Sequence, residues 1–161
     1  MLKLLEKKNI LVVVAHPDDE VLGVGGTINK LVNNYGSNIR VIILGEGLTA
    51  RVQEKENINN DLQIHKKNAF EAKDVLGYQS LRLYDFPDNK FDTIPLISII
   101  KVIESEINTF NPNTIITHHS GDLNIDHQKT FDAVTTASRP LGKNKIKNIL
   151  TFENPSSTEW N

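Results

Sequence analysis

No cysteine occurs among the 161 residues of the sequence. This absence excludes disulfide bonds and thiolate metal ligands, so a metal ion could be bound only by histidine, aspartate or glutamate. That set of donors suits zinc, or another divalent ion such as Fe2+.

Long hydrophobic runs are also lacking. No apolar stretch approaches the roughly 20 residues that a membrane-spanning helix requires. Residues 2–8 are too few and too charged to form the apolar part of a secretory signal. We therefore expect a cytoplasmic protein without a membrane span.

The chain carries little net charge. Its 18 basic and 20 acidic residues leave a formal charge of −2, which gives no support for nucleic acid or an anionic membrane as a partner. A hydrophobic content of 39% is ordinary for a globular protein. With no internal repeat, low-complexity segment or linker, we expect one domain over residues 1–161.

Short apolar runs alternate with stretches of helical apolar spacing. The runs predict strands at residues 10–14, 39–44, 81–84, 114–117 and 146–152, and the spacing predicts helices at about 18–35, 58–76, 94–110 and 126–138. This alternation is typical of an α/β domain, a Rossmann-like three-layer fold with a mainly parallel sheet. The default strand order for this topology is 3-2-1-4-5.

The first predicted helix contains three glycines that could suggest a dinucleotide-binding loop. Gly23, Gly25 and Gly26 lie inside the helix, however, and behind three acidic residues. Carboxylates at that point would repel a pyrophosphate, so close packing of the helix on the sheet is the favoured explanation.

The first polar motif, Ala15-His16-Pro17-Asp18-Asp19-Glu20, lies where the first strand ends and the first helix begins. Pro17 suits the first helical position, because its missing N–H would have no partner there. Acidic residues in a first turn also interact favourably with the helix dipole, so helix capping alone is one explanation of the motif.

A second polar motif weakens that explanation. Residues 117–127 follow the fourth strand and are rich in histidine and aspartate. Parallel strands bring their carboxyl ends to one edge of the sheet, and we expect a shared site there. The residues that follow predicted strands in this way are His16, Arg51, Asp88, Asn89 and His127. His65 lies on an apolar helix face and is expected to be packed or half-exposed.

His16 and Asp19 are three residues apart and can meet one ion, to which His127 can add a third ligand. Two histidines and one carboxylate leave a position for water, which is typical of catalytic zinc. Asp18 could take a proton from that water. Asp126 could orient a ligand imidazole.

The two motifs together resemble those of the PIG-L/LmbE-like N-deacetylases, and the resemblance covers nearly the whole chain. It implies a zinc-dependent α/β enzyme that removes acetyl groups from N-acetylglucosamine-type substrates, a small amino sugar or sugar conjugate. Carried over by position, it implies the metal ligands His16, Asp19 and His127 and the general base Asp18. It further implies substrate contacts at Arg51 and Asp88.

The sequence departs from this family in one catalytic position. Many members have histidine where this chain has Asn124, and that histidine is credited with stabilising the tetrahedral intermediate. Asn124 could donate an amide N–H to the oxyanion instead. His118 or His119 could also reach into the site. The sequence Asp-Leu-Asn-Ile-Asp-His resembles a branch of the family associated with sugar modification in bacterial surface-polysaccharide or antibiotic pathways. This resemblance implies a sugar or sugar-nucleotide substrate.

The second departure is length, because family members usually continue for some tens of residues beyond the position of Asn161. We therefore expect either a shortened sequence or a pocket completed by another chain, as in a homo-oligomer.

Two other functions are compatible with parts of this pattern. One is a non-haem Fe(II) oxygenase, whose two-histidine, one-carboxylate ligands would match. The other is a non-catalytic sugar-binding protein or a truncated, inactive deacetylase homologue.

Overall fold

The computed structural model of the chain describes residues 2–48, 50, 58–140, 146–155 and 157. Within these residues, five strands alternate with four α-helices, and short 3-10 helices at Leu2–Leu5 and Phe91–Thr93 precede the first strand and the third helix. The elements in chain order are β1 (Asn9–Val14), α1 (Asp19–Tyr35), β2 (Asn38–Gly45), α2 (Ile58–Leu76), β3 (Ser80–Phe86), α3 (Leu96–Phe110), β4 (Thr114–His118), α4 (Ile125–Ala137) and β5 (Asn148–Phe152).

Every predicted element is present, and the predicted parallel sheet has the predicted order, β3-β2-β1-β4-β5. The chain first builds outward from β1 to β3 and then crosses to the other side of β1 to form β4 and β5. Strand order therefore reverses between β1 and β4. In an open α/β sheet, ligands bind beyond the carboxyl ends of the strands at such a point.

The central strand, β1, is buried on both faces, which explains its unbroken apolar run. Ile10 and Val12 pack with residues of α1 and α2, whereas Leu11 and Val13 pack with residues of α3 and α4. The domain thus has the predicted three layers, with helices on both faces of the sheet. Among the described residues, no helix combines the length and apolar character needed to cross a bilayer.

The glycine-rich part of α1 lies against β5. A Cβ atom on Gly23 would collide with the ring of Phe152, whereas one on Gly26 would meet no atom within 4 Å among the described residues. The packing role predicted for the glycines is therefore found at Gly23, where it lets β5 approach α1.

The start of α1 differs from the prediction. Pro17 precedes the helix, and Asp18 is the N-cap residue with a left-handed φ of 113°. The prediction that Pro17 takes the first helical position is therefore wrong. The physical reason is a turn built by side chains: the His16 N–H donates to Asp19 Oδ2 (2.8 Å), and the Asp18 N–H donates to Glu20 Oε2 (3.2 Å). Burial raises the pKa of Glu20 to about 7.

A buried ion pair connects the sheet to α3. Arg40 Nη1 on β2 lies 2.8 Å from Glu106 Oε2, and the Tyr84 hydroxyl of β3 donates to Glu106 Oε1 at 2.7 Å. The Arg40 guanidinium also lies over the ring of Phe110, 4.5 Å from its centroid. Because Glu106 is only 7% exposed, these partners replace the water that its carboxylate loses on folding.

Replacing Glu106 by alanine is expected to lower the free energy of unfolding by about 2–4 kcal/mol, because the Arg40 charge and the Tyr84 hydroxyl both lose a partly buried partner. Urea denaturation measures the change. Glu104→Ala, at an exposed position of the same helix, is the matched control and should change the free energy by less than about 0.5 kcal/mol. Equal effects of the two substitutions would contradict this role of Glu106.

Candidate metal centre and active site

Three predicted ligands converge beyond the carboxyl ends of β1 and β4. One donor atom from each of His16, Asp19 and His127 lies within 4.8 Å of the others. His127 Nε2 is 3.3 Å from Asp19 Oδ1, and His16 Nδ1 is 3.6 Å from Asp19 Oδ2. Bonds of about 2.0–2.1 Å place neighbouring ligands of tetrahedral zinc about 3.4 Å apart. The donor types and separations therefore fit a divalent ion.

The imidazole of His16 is oriented by Asp126. Its Nε2 lies 2.9 Å from Asp126 Oδ2, which leaves Nδ1 on the side of Asp19. Asp126 is itself held by two backbone donors, the N–H groups of Asn89 (2.7 Å) and Phe91 (2.9 Å). A carboxylate fixed in this way can set the tautomer and the direction of a ligand histidine, which is the role that the sequence analysis predicts for Asp126.

Asp122 has the same relation to His127, and sequence reasoning missed it. Asp122 Oδ2 lies 3.1 Å from His127 Nδ1, while Asp122 Oδ1 accepts the N–H of Asn124 at 2.9 Å. The available signal was an aspartate in the same polar loop as the ligand. What could not be read from sequence was which histidine each aspartate faces.

Two further groups of donor atoms share an imidazole with the predicted set. One joins His118, Asp122 and His127, and the other joins His16, Asp88 and Asp126. Asp126 and Asp122 lie against the ring nitrogens of His16 and His127 that point away from Asp19. Carboxylates in that position typically orient a ligand histidine.

The carboxylates make this pocket a site for positive charge. Burial alone would lower the pKa of His16, but the hydrogen bond to Asp126 and the nearby carboxylates outweigh it and raise that pKa. Burial would also lower the pKa of His127, but contacts with Asp19 and Asp122 outweigh burial and raise that pKa. Burial would raise the pKa of Asp19, yet contacts with His118 and His127 hold it well below its usual range.

The other two histidines of the second motif differ in position. His118 is fully buried and stacks on His127 with 3.9 Å between ring centroids. Its Nε2 accepts the Ala15 N–H at 3.0 Å, and burial lowers its pKa. His119 is exposed, and its Nδ1 accepts the N–H of Gly121 in its own loop.

A cavity of about 450 Å3 opens beside His16, one of the three converging donors. Of the candidate residues, it is lined by His16, Asp18, Asp88, Asn89 and Asn124, together with His65. Asp18 is exposed, and within the described part of the chain its side chain makes no capping hydrogen bond. Asp88 is 8% exposed, with Oδ1 3.2 Å from His16 Nε2.

Asn124 is the N-cap of α4, and this contact determines how its amide points. Its Oδ1 accepts the Asp126 N–H at 2.8 Å. The amide nitrogen is therefore directed away from the helix, and it makes a long contact of 3.4 Å with Asn89 Oδ1. Of the three residues considered for the oxyanion role, only Asn124 lines the cavity within the described residues.

The remaining positions from the sequence analysis are Arg51 and His65. Arg51, predicted to contact substrate, lies outside the described residues. His65 is half-buried, as expected, but it also lines the cavity beside Asp18, which sequence reasoning missed. The packing of α2 beside α1 creates this proximity, and no local pattern signals it.

The sequence and the fold both have known counterparts. Residues 11–138 match the PIG-L family model, described as GlcNAc-PI de-N-acetylase. A Bacillus cereus protein described as probable N-acetyl-alpha-D-glucosaminyl L-malate deacetylase 2 is 29% identical over 141 residues, which cover 85% of this chain and 64% of that protein. The chain thus spans less than two thirds of this curated relative.

Solved structures share the architecture. N,N'-diacetylchitobiose deacetylase from Pyrococcus horikoshii matches with a TM-score of 0.72 and 20% identity over 86% of this chain and 52% of that one. The 4-carboxy-2-hydroxymuconate hydratase from Pseudomonas putida matches with a TM-score of 0.70 and 23% identity over 86% of this chain and 61% of that one. Fold alone therefore does not determine the reaction. The match to the family model includes both polar motifs, and the chain belongs to the PIG-L family of de-N-acetylases.

Proposed function

We propose that this domain hydrolyses the N-acetyl, or another N-acyl, group of an N-acetylglucosamine-type amino sugar with the help of a zinc ion. The observation that carries the proposal is the convergence of His16, Asp19 and His127, together with a cavity that His16 and Asp18 both line. Within the described residues, the Asp18 carboxylate makes no capping hydrogen bond. The printed names of the Bacillus and Pyrococcus relatives, both deacetylases of acetylated amino sugars, support the same reaction.

His16, Asp19 and His127 would hold the ion. When bound, a divalent ion can activate water and polarise the carbonyl oxygen of an amide. The protein's own contribution is to keep the two imidazoles and one carboxylate converged, which Asp126 and Asp122 do from the far side of each ring. Three protein ligands leave a coordination position for the reaction.

Asp18 is proposed as the general base. Partial burial of its carboxyl group and the charge of Asp19 raise its pKa above the usual value. A base with a raised pKa accepts a proton more readily in its ionised form. The left-handed backbone of Asp18 is uncommon for a residue other than glycine, and strained conformations of this kind cluster at active sites.

Asn124 is proposed to stabilise the oxyanion. Its carbonyl oxygen is used by the helix cap, so its amide N–H groups are the atoms offered to the cavity. A donor held by a helix cap does not have to reorient as negative charge develops on the substrate, and electrostatic stabilisation depends on such preorganisation.

The cavity suits a sugar in size and in chemistry. Its volume of about 450 Å3 lies within the usual range of small-molecule pockets. Asp88 and Asn89 offer carboxylate and amide groups that can bind sugar hydroxyls. We propose Asp88 as a substrate contact, and Arg51 as a second one on the resemblance alone.

The test is acetate release from N-acetylglucosamine and UDP-N-acetylglucosamine by zinc-loaded protein, with a chelator control. We expect release that the chelator abolishes. Binding of these sugars without release would favour a non-catalytic sugar-binding protein. Fe(II)-dependent consumption of dioxygen would favour an oxygenase and contradict the proposal.

Replacement of Asp18 by asparagine is expected to lower turnover by about 10²–10⁴-fold, because the general base is lost. Asparagine tolerates the left-handed backbone of this position, so the fold and the zinc content should be unchanged. Both are measured on the same preparation as the acetate release. Asp74→Asn, which alters an exposed carboxylate at the end of α2, is the control, and unchanged turnover in Asp18→Asn would refute the assigned role.

Replacement of Asn124 by aspartate tests the proposed role of its amide donor while keeping the oxygen that caps α4. Aspartate retains an oxygen for the Asp126 N–H but has no amide donor, so we expect a fall in kcat of about 10²–10³-fold with little loss of stability. Asn124→Ser, which keeps a capping oxygen without adding charge, should also be slow. A serine variant with normal kcat would show that the Asn124 amide is not needed.

A further inference from the structure

The ligand carboxylate of Asp19 has a partner from a distant part of the chain. Asn154 Nδ2 donates to Asp19 Oδ1 at 2.8 Å, across 135 positions of sequence. Both side chains are buried, with Asn154 2% and Asp19 3% exposed. This contact is separate from the β1–α1 turn, whose own hydrogen bond, from the His16 N–H, goes to the other oxygen, Oδ2.

The sheet explains how Asn154 reaches the site. β5 pairs in parallel with β4, and His118 lies opposite Phe152 in the register. The ring of Phe152 packs against His118, 4.9 Å between centroids, in the space that Gly23 leaves free. The chain therefore passes the metal centre two residues after Phe152.

The same segment contacts the other half of the site. The Ser157 hydroxyl donates to Asp122 Oδ2 at 2.9 Å and lies 3.4 Å from His127 Nδ1. Asp122 is the carboxylate that orients His127. Asn154 and Ser157 thus contact one ligand directly and the support of a second ligand.

An amide is well suited to this position. Asp19 Oδ1 is the oxygen that lies 3.3 Å from His127 Nε2. A neutral N–H donor fixes the plane of the carboxylate without neutralising the negative charge that attracts a cation, as lysine or arginine would. Hydrogen bonds to a ligating carboxylate of this kind are worth about 10–100-fold in metal affinity.

We propose that Asn154, assisted by Ser157, is a positioning residue that sets the orientation of Asp19 and thereby the affinity of the metal site. The proposal rests on the metal centre proposed above. It assigns a role in metal binding to the segment after β5, which neither polar motif includes.

Zinc affinity is the direct test, measured by competition with a chromophoric chelator. Asn154→Leu keeps a similar volume without the donor, and we expect its zinc dissociation constant to rise about 10–100-fold. The cobalt-substituted protein should also show altered visible absorption, because the Asp19 carboxylate is no longer held in one orientation. Asn108→Leu, at an exposed position of α3, is the matched control and should bind zinc as the unaltered chain does.

The outcomes distinguish failure of the proposed metal centre from failure of the positioning role of Asn154. If the unaltered chain binds no zinc, the proposed metal centre fails. If it binds zinc and Asn154→Leu binds equally well, the metal centre stands and the positioning role is overturned, even if the melting temperature falls. Should Asn154→Leu fail to fold, Ser157→Ala decides: its zinc dissociation constant should rise several-fold, and an unchanged constant would overturn the proposal.

Discussion

The structure of this site depends on one buried negative charge, the carboxylate of Asp19. Removing a carboxylate from water costs several kcal/mol unless partners compensate for it. Here the partners come from different elements: the His16 N–H from the β1–α1 turn, His127 from α4 and Asn154 from beyond β5. The carboxylate therefore ties together the elements on both sides of the point where strand order reverses.

Two further carboxylates lie against the imidazole rings of His16 and His127. Asp126 faces the outer nitrogen of His16, and Asp122 faces the outer nitrogen of His127. Each is anchored by backbone N–H groups, so each ring is held with its other nitrogen towards Asp19. In this arrangement the protein supplies a preformed pair of imidazoles. The adjoining cavity is lined by Asp18 and Asn124, the residues that we propose act on the substrate.

The sequence predicted what depends on local pattern and on topology. Apolar runs predicted the buried strands, and the parallel pairing of these strands places His16 and His127 at the same edge of the sheet. What it could not predict depends on contacts between distant segments. Asn154 reaches Asp19 only because β5 lies beside β4, and His65 reaches the cavity only because α2 packs next to α1. The position of Pro17 was mistaken because the side chains of the following acids, rather than helix propensity, shape that turn.

The position of zinc in crystals of the zinc-loaded chain, located by anomalous scattering at the zinc absorption edge, would test the proposed metal centre most directly. We expect one peak bonded to His16 Nδ1, His127 Nε2 and a carboxylate oxygen of Asp19. A peak on the far side of either imidazole, bonded to Asp122 or Asp126, would contradict it. Such a result would make the orienting carboxylates the ligands and would remove the basis for the proposed arrangement of Asp18 and Asn124.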